Sequence, residues 1–103
     1  MNIQVLKVAG NSSVNSVSDK IIQHAVNDGI VHVDCIGVKA TYTAVRAIIL
    51  ATEYLVKEGY KFNLRPYYTE VDVQDNDKMV QKTAIRWTIV AKKNKTRVVI
   101  VEK

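Results

Sequence analysis

The four glycines of this chain, Gly10, Gly29, Gly37 and Gly59, each end an apolar segment, and their spacing limits the fold more than any other feature. The segments before Gly10 and Gly37 are short, β-branched runs typical of strands. The segments before Gly29 and Gly59 carry apolar residues at helical spacing, and glycine at a helix end supplies the positive φ that a helix terminus requires. The first sixty residues therefore predict the order strand, helix, strand, helix.

The remainder of the chain predicts a long hairpin. "YKFNLRPYYTEVDVQ" reads as a long strand, and Pro66 restricts it to an edge, a bulge or a position whose N–H faces outward. "DNDK" is a turn, after which "KTAIRWTIVA" returns as a strand. A βαβ half followed by two strands predicts an α/β fold, a two-layer sandwich of order β-α-β-α-β-β with both helices on one face of a mixed sheet.

The second helix, from about Ala40 to Glu58, is apolar around most of its circumference. A domain of this size covers one helix face with its own sheet, so the surplus indicates contact with a second copy of the chain. Rows of alanine allow helices to approach closely. We therefore predict a homodimer, with the interface on the stripe Ala44, Ala47, Ile48, Ala51 and Leu55.

Composition excludes several classes of protein. The 103 residues suit one domain, and 48% apolar with 24% charged residues is ordinary for a soluble globular protein. Since no apolar run approaches the ~20 residues of a membrane helix and the N-terminus opens into a strand pattern, we expect a cytoplasmic protein without membrane contact. A lone Cys35 agrees with a reducing compartment. Residues 92–103 carry +4 of the net charge of +5, which predicts a domain over residues 1–91 and a basic tail over residues 92–103. Whether Thr96–Val101 adds a strand is open.

The loop after the first strand, "GNSSVN", allows two interpretations. Ser16–Asp19 fits a capping box, so we expect the first helix to begin near Ser16. Gly, Asn and Ser are ordinary connecting and capping residues. The same residues beside a helix N-terminus also present backbone donors to an anion. Spacing alone leaves both interpretations open.

Several short motifs occur in an order that resembles the stage V sporulation protein S family. These are "LKVAGNSSVNSV", "CIG" at Cys35–Gly37, "AVRA" at Ala44–Ala47, Pro66, Thr69 and "TAI" at Thr83–Ile85. The resemblance spans about residues 4–91. It implies an Alba-like fold, a homodimer and the binding of nucleic acid, DNA or RNA. Because such binding would rest on phosphate contacts, we expect it to be weakly sequence-specific. The chain departs from the family pattern at Asn11, where lysine is usual, and at Val14, where proline is usual.

On this resemblance the first loop, the start of the second helix and the hairpin are expected to contact nucleic acid, and the tail adds charge. The expected residues are Asn11, Ser12, Ser13, Asn15, Lys39, Arg46, Arg86, Lys92, Lys93, Lys95 and Arg97. His24, His32 and Cys35 lack metal-ligand spacing, and no nucleophile motif or paired acid and base occurs. We therefore expect no enzyme, metal or cofactor. A protein–protein assembly module without nucleic-acid binding is the alternative, favoured by the nearly neutral body.

Overall fold

The computed structural model describes residues 3–93 and 100–101. It confirms the predicted order and the two-layer α/β sandwich. The elements are β1 (Gln4–Val8), α1 (Val14–Asp28), β2 (Ile30–Cys35), α2 (Val38–Lys57), β3 (Tyr60–Asp75) and β4 (Lys78–Lys93).

The four strands form one mixed sheet in the order β1-β2-β4-β3. β1 and β2 are parallel, as a strand–helix–strand unit requires, and β4 runs antiparallel to both β2 and β3. β3 is therefore an edge strand, which confirms one of the positions that Pro66 allowed. Because β1 and β2 are parallel neighbours, the loops that follow them leave the sheet at the same edge, which is formed by the C-terminal ends of these two strands.

Both helices cover one face of the sheet, and the core lies between these layers. Alternate residues of the central strands β2 and β4 face the helices, because side chains along a strand point to opposite faces in turn. The buried apolar residues of the cluster are Val8, Ile21, Ala25, Val31, Val33, Cys35, Ala40, Ala44, Ala47, Ile48, Ala51, Leu55, Ile89 and Ala91.

The alanine-rich stripe of α2 lies in this core and not on a free surface. Ala44, Ala47, Ile48, Ala51 and Leu55, the residues predicted for a dimer interface, are each at most 3% exposed within the single chain. Small side chains let α2 lie close to its neighbours, which is the same property that suggested contact between two helices. The surplus apolar surface lies on a second stripe that includes Val38, Tyr42, Ile49 and Val56, at 87, 65, 49 and 62% exposure.

The first helix begins three residues earlier than the capping box predicted. Ser13 is the N-cap, with extended backbone angles, and its Oγ accepts a hydrogen bond from the N–H of Ser16 at 3.2 Å. Ser16 is therefore capped and does not itself cap. α1 ends at Asp28, and its C-cap Gly29, with a φ of 79°, closes the helix in the left-handed conformation, as predicted.

β3 and β4 pair over sixteen residues each and extend beyond the sheet as a two-stranded arm, so the longest dimension of the molecule is 72 Å. Asn76 and Asp77 form the turn with φ values of 48° and 63°, as a two-residue type I′ hairpin requires. β4 extends from Lys78 to Lys93, beyond both predicted ends. Of the segment predicted as a fifth strand, residues 96–99 lie outside the described residues. Among the described helices, neither is long and apolar enough to cross a membrane.

Candidate functional site

The loops after β1 and β2 are held together at one edge of the sheet. The hydroxyl of Thr43 donates a hydrogen bond to the carbonyl oxygen of Gly10 at 3.1 Å, which fastens the first loop to α2. Gly10 lies so close to α2 that a Cβ added to it would stand 2.7 Å from the Cβ of Lys39. Glycine is therefore required there by close approach, and the two loops form one continuous surface.

Both helices present their N-termini at this edge, and the start of α2 carries no capping side chain among the described residues. Gly37 is its N-cap, at φ 90°, and the first backbone bond runs from the N–H of Thr41 to the carbonyl of Gly37. The N–H groups of Val38, Lys39 and Ala40 thus precede the first helical bond. Unpaired donors at the positive end of a helix dipole favour an anion.

Lys39 lies in the first turn of α2, and it is exposed. A cation at this end of a helix is repelled by the dipole, and the first turn of α2 contains no acid to offset it. Arg46 follows two turns later on the same helix face, with its guanidinium 5.5 Å from the ring centroid of Tyr42. The sequence-predicted cations Lys39 and Arg46 therefore lie along one side of α2.

The predicted loop residues lie at the same edge, but their side chains also stabilise the loop. Ser12 Oγ accepts a hydrogen bond from the N–H of Ala9 at 2.9 Å, and Ser13 Oγ caps α1. Each hydroxyl keeps its own proton for donation. Asn11 and Asn15 are exposed. The structural and the anion-binding interpretations of this loop are thus compatible.

Two further lysines complete the edge, and neither was identified from the sequence. A groove of about 430 Å³ runs between β1 and α1, with Lys7 and Lys20 beside the hydroxyls of Ser12, Ser13 and Ser16. Lys20 lies one turn after Ser16 on α1, so helical spacing from the loop was the available signal. Lys7 could have been identified from strand alternation, which places it on an exposed side of β1 just before the loop.

A larger cavity of about 710 Å³ opens between the two loops and the hairpin arm. Its walls are mostly apolar and include Val8, Ile36, Val71 and Ala84. Cys35 also lines it, and burial raises the pKa of this thiol. Its Sγ lies 3.5 Å from the carbonyl oxygen of Ile85, to which it donates. The thiol is thus protonated at neutral pH and structural.

The remaining predicted cations lie elsewhere. Arg86 is on the sheet face away from the helices and forms two hydrogen bonds to the Asp34 carboxylate, at 2.7 and 2.9 Å. These bonds raise the pKa of Arg86 further. Lys92 and Lys93 end β4 at the opposite edge of the sheet, where Lys93 Nζ donates to the carbonyl of Glu58 at 2.6 Å. Lys95 and Arg97 lie outside the described residues.

No group of three or more metal-binding side chains occurs within the described ranges. His24 lies 3.5 Å from Asp28 one turn away on α1. His32 Nδ1 and the Thr88 hydroxyl are 2.9 Å apart, and burial and the nearby Arg86 charge lower the pKa of this histidine. Both histidines have structural partners.

Comparison with known proteins agrees with the fold and with the sequence motifs. The solved structure of Alba from Thermoplasma volcanium superposes with a TM-score of 0.56 at 14% identity, covering 84% of this chain and 98% of that chain. This likeness shows an Alba-like fold. No curated protein matches the sequence. The family described as stage V sporulation protein S matches residues 4–92. This chain therefore belongs to the stage V sporulation protein S family.

Proposed function

We propose that the chain is a non-catalytic, dimeric protein of the cytoplasm that binds DNA or RNA through the edge formed by its first two loops. The observation that carries the proposal is the uncapped start of α2 with Lys39 in its first turn. The backbone N–H donors, the positive end of the helix dipole and the Lys39 side chain come together there. Lys7 and Lys20 extend the positive surface along the neighbouring groove. We name Lys7, Lys20, Lys39 and the loop Gly10–Ser13 the loop edge.

Phosphate is the anion that these groups suit best. Backbone N–H groups at a helix start, serine hydroxyls and lysines contact phosphate oxygens and carry little sequence information. The expected binding is therefore weakly sequence-specific and strongly dependent on salt. Arg46, farther along α2, extends the path for a sugar–phosphate strand.

The second stripe of α2 supports the dimer. Tyr42 and Val45 on this stripe face Tyr68 and Ile85 of the hairpin across an apolar groove of about 720 Å³. An exposed, mainly apolar groove between a helix and the hairpin arm is typical of a protein–protein interface. A second copy bound there would bring its own loop edge, so the dimer would carry twice as many loop-edge cations.

The same groove favours the alternative of an assembly module, in which a different protein occupies it. The two proposals differ in what binds the loop edge. A homodimer without measurable affinity for nucleic acid would support the assembly module.

Affinity for duplex DNA and for single-stranded RNA across a salt series tests the proposal. Three lysines from each of two copies give six phosphate contacts, for which the log–log slope on duplex DNA is about −5. Lys39→Gln removes one contact per copy and brings the slope to about −3.6. Salt-independent binding, or none, overturns nucleic-acid binding as the function.

Sedimentation velocity tests the dimer separately. Ile49→Glu places a charge on the exposed stripe of α2, and we expect it to convert the dimer to a folded monomer. Gln23→Glu, which adds the same charge at an exposed position of α1, is the matched control and leaves the dimer intact. A native protein that sediments as a monomer at every concentration contradicts the proposal.

A further inference from the structure

The sheet has a second face, opposite the helices, to which the loop edge contributes only Lys7. Strand alternation and register assign thirteen described residues to it, and we name them the open face. They are Val5, Lys7, Ile30, His32, Asp34, Lys61, Asn63, Arg65, Tyr67, Arg86, Thr88, Val90 and Lys92. Both helices pack on the other side, against the apolar core.

The open face is positively charged. Five cations lie on it, and the one acid among these thirteen residues, Asp34, is neutralised by its two hydrogen bonds from Arg86. Lys61 and Lys92 lie directly opposite one another on β3 and β4. Like charges in cross-strand positions destabilise a sheet. The ion pairs of the described residues involve neither lysine, so an external anion would relieve this repulsion.

The centre of the open face is ordered by side-chain hydrogen bonds. The Thr88 hydroxyl lies 2.9 Å from His32 Nδ1 and 2.9 Å from the Tyr67 hydroxyl, which joins three strands. The guanidinium carbon of Arg65 is 4.7 Å from the ring centroid of Tyr67. Arg65 is exposed, so the outer side of this stack is open to a ligand.

These features select one kind of partner. The four strands span only about 14 Å, and the two-stranded arm, which is the element that protrudes, lies beyond the open face and not on it. Unpaired nucleotides, in contrast, lie flat on a sheet, with bases stacked on aromatic or guanidinium planes and phosphates on flanking cations. The Arg65–Tyr67 stack supplies such a plane, and the pair Lys61 and Lys92 supplies the adjacent charge.

We propose that the open face is a second nucleic-acid site that binds single strands, with a base stacked on Arg65 and a phosphate between Lys61 and Lys92. This inference rests on the proposed nucleic-acid-binding function but not on the loop edge. The loop edge lies where β1 and β2 end, whereas Lys61 and Lys92 lie beyond the start of β2, at the other end of the sheet.

Two double variants with the same change in net charge test the site. Lys61→Gln/Lys92→Gln alters the open face, and Lys20→Gln/Lys39→Gln alters the loop edge. We measure the affinity of each for an unstructured single-stranded oligonucleotide and for a duplex. The open-face variant should lose about tenfold in affinity for the single strand and lower its salt slope by about 1.4, with duplex affinity changed less than about threefold. The loop-edge variant should lose affinity mainly for the duplex.

Arg65→Lys separates stacking from charge. It keeps the cation but removes the planar group, so the affinity for the single strand should fall about fivefold or more while the salt slope stays unchanged. Circular dichroism and the unfolding midpoint verify that each variant is folded.

The outcomes are distinguishable. Equal losses for the two double variants on both probes mean that only net charge matters, which overturns the open-face site and leaves the proposed function standing. Competition by heparin as effective as that by the oligonucleotide, with no effect of Arg65→Lys, also overturns it, because any polyanion would then suffice. Failure of the native protein to bind either probe rejects both proposals.

Discussion

Lys39 offers a test in which stability and binding change in opposite directions. It occupies the first turn of α2, where the helix dipole places about half a positive charge and no side chain among the described residues caps the N–H groups. Each unit of charge at an exposed helix terminus contributes about 0.3–1 kcal/mol. Lys39→Glu changes the charge by two units, so the free energy of unfolding should rise by about 1 kcal/mol. For a chain of this length, the melting temperature should rise by about 4–6 °C.

The matched control lies at the other end of the same helix. Lys57 is in the last turn of α2, where a cation is favourable, so Lys57→Glu should lower the free energy of unfolding by a similar amount. Urea unfolding at low salt and at one protein concentration, followed by the fluorescence of the single tryptophan, measures both variants. Both differences should nearly vanish in about 1 M salt, where the screening length falls to about 3 Å.

Binding should respond in the opposite sense to stability. Lys39→Glu places a carboxylate where phosphate is proposed to bind, so duplex affinity should fall, whereas Lys57→Glu should leave it nearly unchanged. If Lys39→Glu leaves the protein equally stable or less stable at low salt, the helix start does not repel Lys39. The claim that an anion completes this site would then have no basis.

Three further predictions concern the fold. Ser13→Ala should lower the free energy of unfolding by about 1 kcal/mol because it removes the cap of α1, while Ser16→Ala should change it little; urea unfolding compares them. Arg86→Met should lower the free energy of unfolding by about 3 kcal/mol, because Asp34 is buried and loses its partner. Arg86→Lys should give a stability between those of the native protein and Arg86→Met. A loss below about 1 kcal/mol for Arg86→Met would contradict this reasoning. Burial and Arg86 lower the pKa of His32 below its ordinary 6.5, so the unfolded chain binds the proton more readily. Stability should therefore fall as the pH drops below about 6.5, and His32→Gln should remove that part of the pH dependence.

The element order was predictable because glycine marks the ends of helices and strands, and apolar periodicity distinguishes the two. The choice between two nearby serine caps was not, since Ser13 and Ser16 offer the same hydroxyl and only the path of the loop decides. In the sequence, the two apolar stripes of α2 appear together as more apolar residues than one helix face needs. Periodicity cannot tell which stripe faces the core, and the small side chains of Ala44 and Ala47 go there because they permit close packing.

The candidate site was predictable where it depends on local sequence. The position of Lys39 at the start of α2 was predictable because it follows a strand and begins an apolar helical pattern. The ion pair of Arg86 was not predictable, because its partner, Asp34, lies 52 residues away and only the register of β2 with β4 reveals the pair. Lys92 and Lys93 were assigned to the basic tail, and their place was not predictable, because the antiparallel pairing of β4 carries its end to the opposite edge of the sheet.

The state of each cation in the folded chain separates those that stabilise the fold from those available to a ligand. Arg86 is paired with Asp34. Lys93 lies over the ring of Tyr60, 4.6 Å from its centroid, and donates to the carbonyl of Glu58, the C-cap of α2. Both positions are favourable without any partner molecule. Lys39 at a helix N-terminus and the Lys61–Lys92 pair across a sheet are instead unfavourable in isolation. Each of these costs disappears when a phosphate binds, so the unfavourable positions, and not total charge, indicate where nucleic acid should contact this protein.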